Sequence, residues 1–149
     1  DNYSLVMDTY SFGYSSSGFT DMPMNHKVFL AQFDAIKKLA SEGPCVMVGR
    51  CADYALSEYK DCFSVFVHAD TDWRINRLSQ KHNKTAKEAK DMINKTDKSR
   101  SSYYNYYTNK KWGAASSYNL CVDSSKLGID GAAKAIIQAI EIFDSIKNK

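Results

Sequence analysis

No stretch of the chain approaches the ~18 consecutive apolar residues of a membrane-spanning helix, so nothing in it reads as a bilayer span. The opening DNYSLVMDTYSF has no basic segment followed by an apolar one and so is not expected to be a signal peptide. It also begins with Asp rather than Met and reads as a processed or truncated product. The phosphate loop GxxxxGK followed by Ser or Thr is absent. GxGxxG and the nucleophile elbow GxSxG are absent too. Cys45, Cys51, Cys62 and Cys121 form no CxxC pair, and His26, His68 and His82 have no second ligand at metal spacing, so no zinc site is expected. The four thiols are expected to be reduced, in a cytoplasmic protein. Asn83-Lys84-Thr85 and Asn94-Lys95-Thr96 match the glycosylation pattern, by chance in that setting.

What is present is ordinary globular material of one domain's length, expected as a single unit over residues 1–149. Hydrophobic residues at 44% and charged residues at 25% permit a core without staples. The net charge of +3 hides an uneven spread. Residues 74–111 hold eleven Lys or Arg against Glu88, Asp91 and Asp97, a local excess of +8, which leaves −5 on the rest. One end of the molecule should therefore present a positive field to an anionic partner.

Residues 1–24, rich in Ser, Tyr and Gly, read as an irregular arm. A helical pattern starts at Asn25, carries Phe29, Phe33, Ile36 and Ala40 on one face, and stops at Gly43-Pro44. Cys45–Val48 reads as a buried strand, Phe63–Val67 as a second and Tyr118–Val122 as a third. A brief helical segment is expected over Cys51–Leu56. Asp70 or Thr71 starts a helix to about His82, and Thr85 with Glu88 forms a capping box for another. The last helix starts near Asp130 and carries an apolar stripe through Ile136, Ile140 and Phe143. Alternating strands and helices predict an α/β fold: a parallel sheet with helices on both faces, and ligands at the carboxyl ends of the strands.

The residues after each strand are the candidates. Arg50 follows Gly49 and is a planar bidentate donor suited to phosphate, although a surface arginine in a turn fits as well. Asp70 follows the second strand, and Asp123-Ser124 the third. Arg74 and Arg77 sit one turn apart, a pair that repels unless an anion or acid lies between. Asp97, Lys98 and Arg100 continue the basic helix, where Asp97 and Arg100 also fit a plain salt bridge. Tyr103, Tyr104, Tyr106, Tyr107 and Trp112 follow, able to stack on a base, to pack as a hinged lid, or to bind single-stranded nucleic acid.

The segments GPCVMVGRCADYAL, SVFVHADTDWRINRL, KTDKSRSSYYNYYTNKKWG and YNLCVDSSKLGIDG occur in that order from about residue 25 onward. Together they resemble the cytidylate-kinase-like proteins of bacteria. The resemblance implies a P-loop nucleoside monophosphate kinase fold and ATP-dependent phosphoryl transfer to a nucleoside monophosphate or similar acceptor, with Mg²⁺. It implies Arg50, Asp70, Arg74, Arg77 and Tyr104 at the substrate, and a lid over about residues 84–112. In that lid Arg100, with Asp97 and Lys98, would stabilise transferring charge. Cys51 stands where true cytidylate kinases have the Asp of Gly-Arg-Asp, and Ser99, Ser101 and Tyr103 stand where more arginine is expected. The resemblance also implies a phosphate loop and central strand ahead of the region that matches residue 1. A catalytically weak nucleotide-binding or regulatory module is the alternative. A nucleic-acid binder is the third reading, and a kinase lid explains the same basic helix.

Overall fold

A computed structural model describes residues 24–147, with side chains from His26. The irregular arm expected over residues 1–24 therefore lies, apart from Met24, outside the described residues. The chain separates into two units, one ending at Pro44 and the other beginning at Cys45.

In the first unit, helix α1 spans Met24–Glu42. Phe29 is buried and its ring lies 5.9 Å from that of Phe33, one turn on, as the apolar periodicity predicts. Gly43, at φ 147°, ends the helix in a conformation that side chains rarely adopt.

The second unit is built on two parallel strands, β1 (Val65–His68) and β2 (Leu120–Asp123). Their register pairs Val65 with Leu120 and His68 with Asp123, so both carboxyl ends open at one edge. Ser64 sets this register from below. Its amide and hydroxyl donate to Asn119 Oδ1 at 2.8 Å each, and its carbonyl accepts from the Asn119 amide.

The third expected strand, Cys45–Val48, did not form. Val46 is 94% exposed and Val48 74%. An apolar run becomes a strand only where a neighbour completes its hydrogen-bond ladder. Among the described residues β1 and β2 pair only with each other.

One short helix precedes β1, two longer ones lie between β1 and β2, and the last helix packs on both strands. Helix α2 (Ala52–Ala55) is a single turn. Helix α3 (Thr71–His82) starts where Asp70 Oδ1 accepts from the amides of Asp72 and Trp73, at 2.9 and 3.3 Å. Helix α4 (Ala86–Thr108) starts on the expected capping box: Glu88 N–H donates to Thr85 Oγ1 and Thr85 N–H to Glu88 Oε2. Ala89, Ile93, Tyr104 and Thr108 are its buried residues, one face at helical spacing, and it packs on α3.

Helix α5 (Ser124–Lys147) starts six residues earlier than expected, because Ser124–Leu127 form a helical turn before Gly128 breaks the geometry at φ 68°, ψ 174°. Its far end is held by Phe143 against Phe63, at 5.1 Å, and by Lys147 paired with Asp61. Its apolar stripe is only partly covered, with Ile129 48% and Ile137 56% exposed.

Candidate functional site

Serine chemistry ties the two strand ends together. Ser124 Oγ donates to the carbonyl of His68, at 3.0 Å, and the Asp70 amide donates to Ser125 Oγ, at 3.1 Å. Ser125 in turn donates to Asp123 Oδ1 through its amide and hydroxyl. The hydroxyl bond is the main reason that the Asp123 carboxyl is held below the usual carboxylate range.

Beside this edge lies a cleft of about 420 Å³. β1 supplies Phe66 and His68, α3 supplies Trp73 and Arg74, and α4 supplies Asp97 and Arg100. Trp112 and Ser124 complete the wall. The polar centre is a bidentate fork. Arg74 donates to both carboxylate oxygens of Asp97, at 2.6 and 2.9 Å, and Arg100 stands 4.0 Å from the same carboxylate. Half of the Arg100 side chain remains exposed. The apolar wall is aromatic: Trp112 meets Phe66 edge-on at 5.3 Å. The arrangement offers cationic donors for an anion next to flat surfaces for a ring.

Among the predicted site residues, the fold brings Arg74, Asp97 and Arg100 into this cleft. Arg77 diverges from Arg74: its guanidinium lies 5.6 Å from the Trp73 ring and borders a second, apolar groove with Ile129 and Ile136. Asp70 caps α3, and Lys98 is exposed on α4. Tyr104 is 6% exposed, and its hydroxyl donates to Asp53 Oδ2 at 2.7 Å. Burial, with the Asp53 carboxylate, pushes the Tyr104 phenol pKa up. Arg50 sits at φ 56° in the turn before α2 and is not among the cleft's lining residues. Ser124, expected at the end of the third strand, lines the cleft. Sequence reasoning did not single out His68, Trp73 or Phe66 as site residues. The signal for His68 was available, since it ends a parallel strand at its carboxyl edge.

Among the described residues no group of three or more His, Cys, Asp or Glu could hold a metal ion. Asp97 is committed to Arg74 and Asp123 to Ser125. No described helix is long and apolar enough to cross a membrane.

A sequence model of the cytidylate kinase-like family matches residues 2–126. Among solved structures, an uncharacterized protein from Eubacterium ventriosum is similar at 33% identity and a TM-score of 0.75. That match covers 78% of this chain and 74% of the other. No curated protein matches the chain.

Proposed function

The chain belongs to the cytidylate kinase-like family, and from that premise we propose that it transfers the γ-phosphoryl group of ATP to a nucleoside monophosphate or a similar small phosphorylated acceptor. The observation that carries this reading is the cleft in which Arg74 and Arg100 converge on Asp97 beside Phe66, Trp73 and Trp112. Phosphoryl transfer asks the protein for positioning and charge neutralisation rather than a covalent nucleophile. Two guanidiniums supply that neutralisation, and the aromatic wall accepts a base. Asp97 holds Arg74 in place while no anion is present. An incoming phosphate competes for Arg74 and draws in the half-exposed Arg100, closing α4 as a lid and excluding water. In this reading Mg²⁺ would accompany ATP and supply further neutralisation of phosphate charge, while Asp97 and Asp123 keep Arg74 and Ser125 as partners. Arg50, in the turn before α2, would serve the acceptor.

A P-loop fold requires a further strand bearing the ATP phosphate cradle, and residues 1–149 contain no such motif. Two features support room for that strand: β1 has a partner on one side only among the described residues, and Val46, Val48 and Val67 are exposed. With such a strand, helices would cover both faces of a larger sheet.

A nucleotide-binding module without turnover is the second reading. It is favoured by a cleft with two arginines, one of them already neutralised. The deciding experiment follows ADP release from ATP, with the full-length protein and a panel of CMP, dCMP, UMP, AMP and GMP. Turnover with one acceptor, lowered about 100-fold by Arg100→Ala, supports the kinase. Saturable nucleotide binding without ADP release supports the module, and no binding of any nucleotide sinks both readings.

A further inference from the structure

Gly49, Arg50 and Cys51 have φ values of 71°, 56° and 55°, three consecutive residues in the left-handed region. Glycine adopts it freely, but for Arg and Cys it is strained and persists only where the surroundings impose it. Local bonds close the turn: the amide of Ala52 donates to the Gly49 carbonyl at 3.1 Å, and that of Ala55 to the Cys51 carbonyl at 2.9 Å. Burial of Cys51, Ala52, Ala55 and Leu56 seats it. Asp53, directly after the buried Cys51 and Ala52, accepts the Tyr104 hydroxyl 51 residues away at 2.7 Å.

From Tyr104 a run of ring contacts leads to the cleft. Tyr104 stacks on Tyr118 at 6.1 Å, Tyr118 on Phe66 at 5.0 Å, and Phe66 meets Trp112 edge-on at 5.3 Å. Backbone bonds lock the same run. Gly113 N–H donates to the Tyr118 hydroxyl at 3.4 Å, and Trp112 N–H to Asn105 Oδ1 at 2.7 Å. A Cβ at Gly113 would come within 3.1 Å of the Phe66 ring, so the backbone approach there is close.

We propose that Asp53 and Tyr104 are a positioning pair: their hydrogen bond holds the strained Gly49–Cys51 turn, and with it the direction of Arg50, in register with the aromatic wall of the Arg74–Arg100 cleft. The part concerning Arg50 rests on the nucleotide-site reading above. The coupling itself is a property of the fold. Tyr104 is fit for the task because burial and the facing carboxylate keep its hydroxyl protonated and donating. Its carrier α4 also bears Asp97 and Arg100, so one rigid helix spans both the cleft and the turn's anchor.

The test uses Tyr104→Phe, which removes one hydroxyl and keeps the stacking ring, and Asp53→Asn, which keeps an acceptor for that hydroxyl. Cys51 labelling by a thiol reagent is followed by peptide mass spectrometry, and Trp112 emission is followed in a Trp73→Phe background. Loss of one hydrogen bond to a charged group should raise Cys51 labelling in Tyr104→Phe about tenfold and shift Trp112 emission. Asp53→Asn should keep most of the wild-type behaviour. In nucleotide titrations, Arg50→Ala should weaken binding strongly in the wild type and little in Tyr104→Phe. Wild-type labelling and emission in a folded Tyr104→Phe protein would overturn the coupling, as would independent effects of Arg50→Ala and Tyr104→Phe. Asp53→Ala gives the same readings should Tyr104→Phe not fold. If no nucleotide binds to the wild type, labelling and emission still decide the coupling, while the kinase reading falls separately.

Discussion

Arg74 holds both carboxylate oxygens of Asp97, at 2.6 and 2.9 Å, and so joins α3 to α4 at the mouth of the cleft. The two side chains remain 30% and 25% exposed, so water screens the pair and moderates its worth. Asp97→Ala should destabilise the fold by about 1 kcal/mol, read by urea denaturation. The same change frees Arg74 from its competitor and should tighten binding of inorganic pyrophosphate to the cleft. Weaker pyrophosphate binding in a folded Asp97→Ala protein would mean that the carboxylate organises the site rather than competing for it.

Arg100 has the opposite profile. Its side chain is 53% exposed and its nearest carboxylate oxygen is 4.0 Å away. Arg100→Ala should shift stability by no more than about 0.5 kcal/mol. Turnover should drop about 100-fold if the guanidinium meets charge that develops in the transition state. Parallel thermal melts and ADP-release assays separate the two effects. A protein that unfolds while keeping its nucleotide affinity per folded molecule would make Arg100 a structural ion-pair residue.

The start of α4 should be sensitive to acid. Glu88 accepts the Thr85 amide, and that backbone bond is the main reason that its carboxyl titrates below the usual range. A depressed folded-state pKa means that the stabilisation is present above the unfolded-state pKa and is lost as pH falls through the folded value. Helicity melts between pH 7 and 3 should show the loss in the wild type and a flatter profile in Glu88→Gln. Thr85→Ala should cost about 1 kcal/mol at neutral pH.

The thiols should react in a fixed order. Cys45 is exposed. Cys51 is 4% exposed, and burial pushes its thiol pKa up to about 12, so thiolate is scarce at working pH. Alkylation at pH 8 followed by peptide mapping should modify Cys45 first and Cys51 last. Comparable rates at the two positions would mean that the turn around Cys51 opens in solution.

Much of the scaffold was legible because its signals are local. Asp70 and the Thr85–Glu88 pair satisfy amides within one helical turn of themselves, so α3 and α4 begin where the residues say. Parallel pairing of the two later strands follows from the helical crossover between them, which the alternation of patterns discloses. Cys45–Val48 was misread for the converse reason: apolarity is written in the residues, but a ladder partner is not. The early start of α5 was missed because Gly128 separates its first turn from the periodic stripe.

The site divides in the same way. Asp97 and Arg100 are three residues apart on one helix, so their proximity follows from helical geometry alone. The approach of Arg74 to Asp97 spans 23 residues and two helices, and packing of α3 on α4 decided it. That packing sent Arg77 to the Trp73 face instead, although helical spacing alone places both arginines on one side. Tyr104 shows the limit most plainly. Its neighbours Tyr103, Tyr106 and Tyr107 are the same residue type, and only the folded chain decides which ring turns inward to meet Asp53. A side chain's type sets what it can bond. Its partner is set by chain segments far away in sequence, whose positions no local pattern encodes.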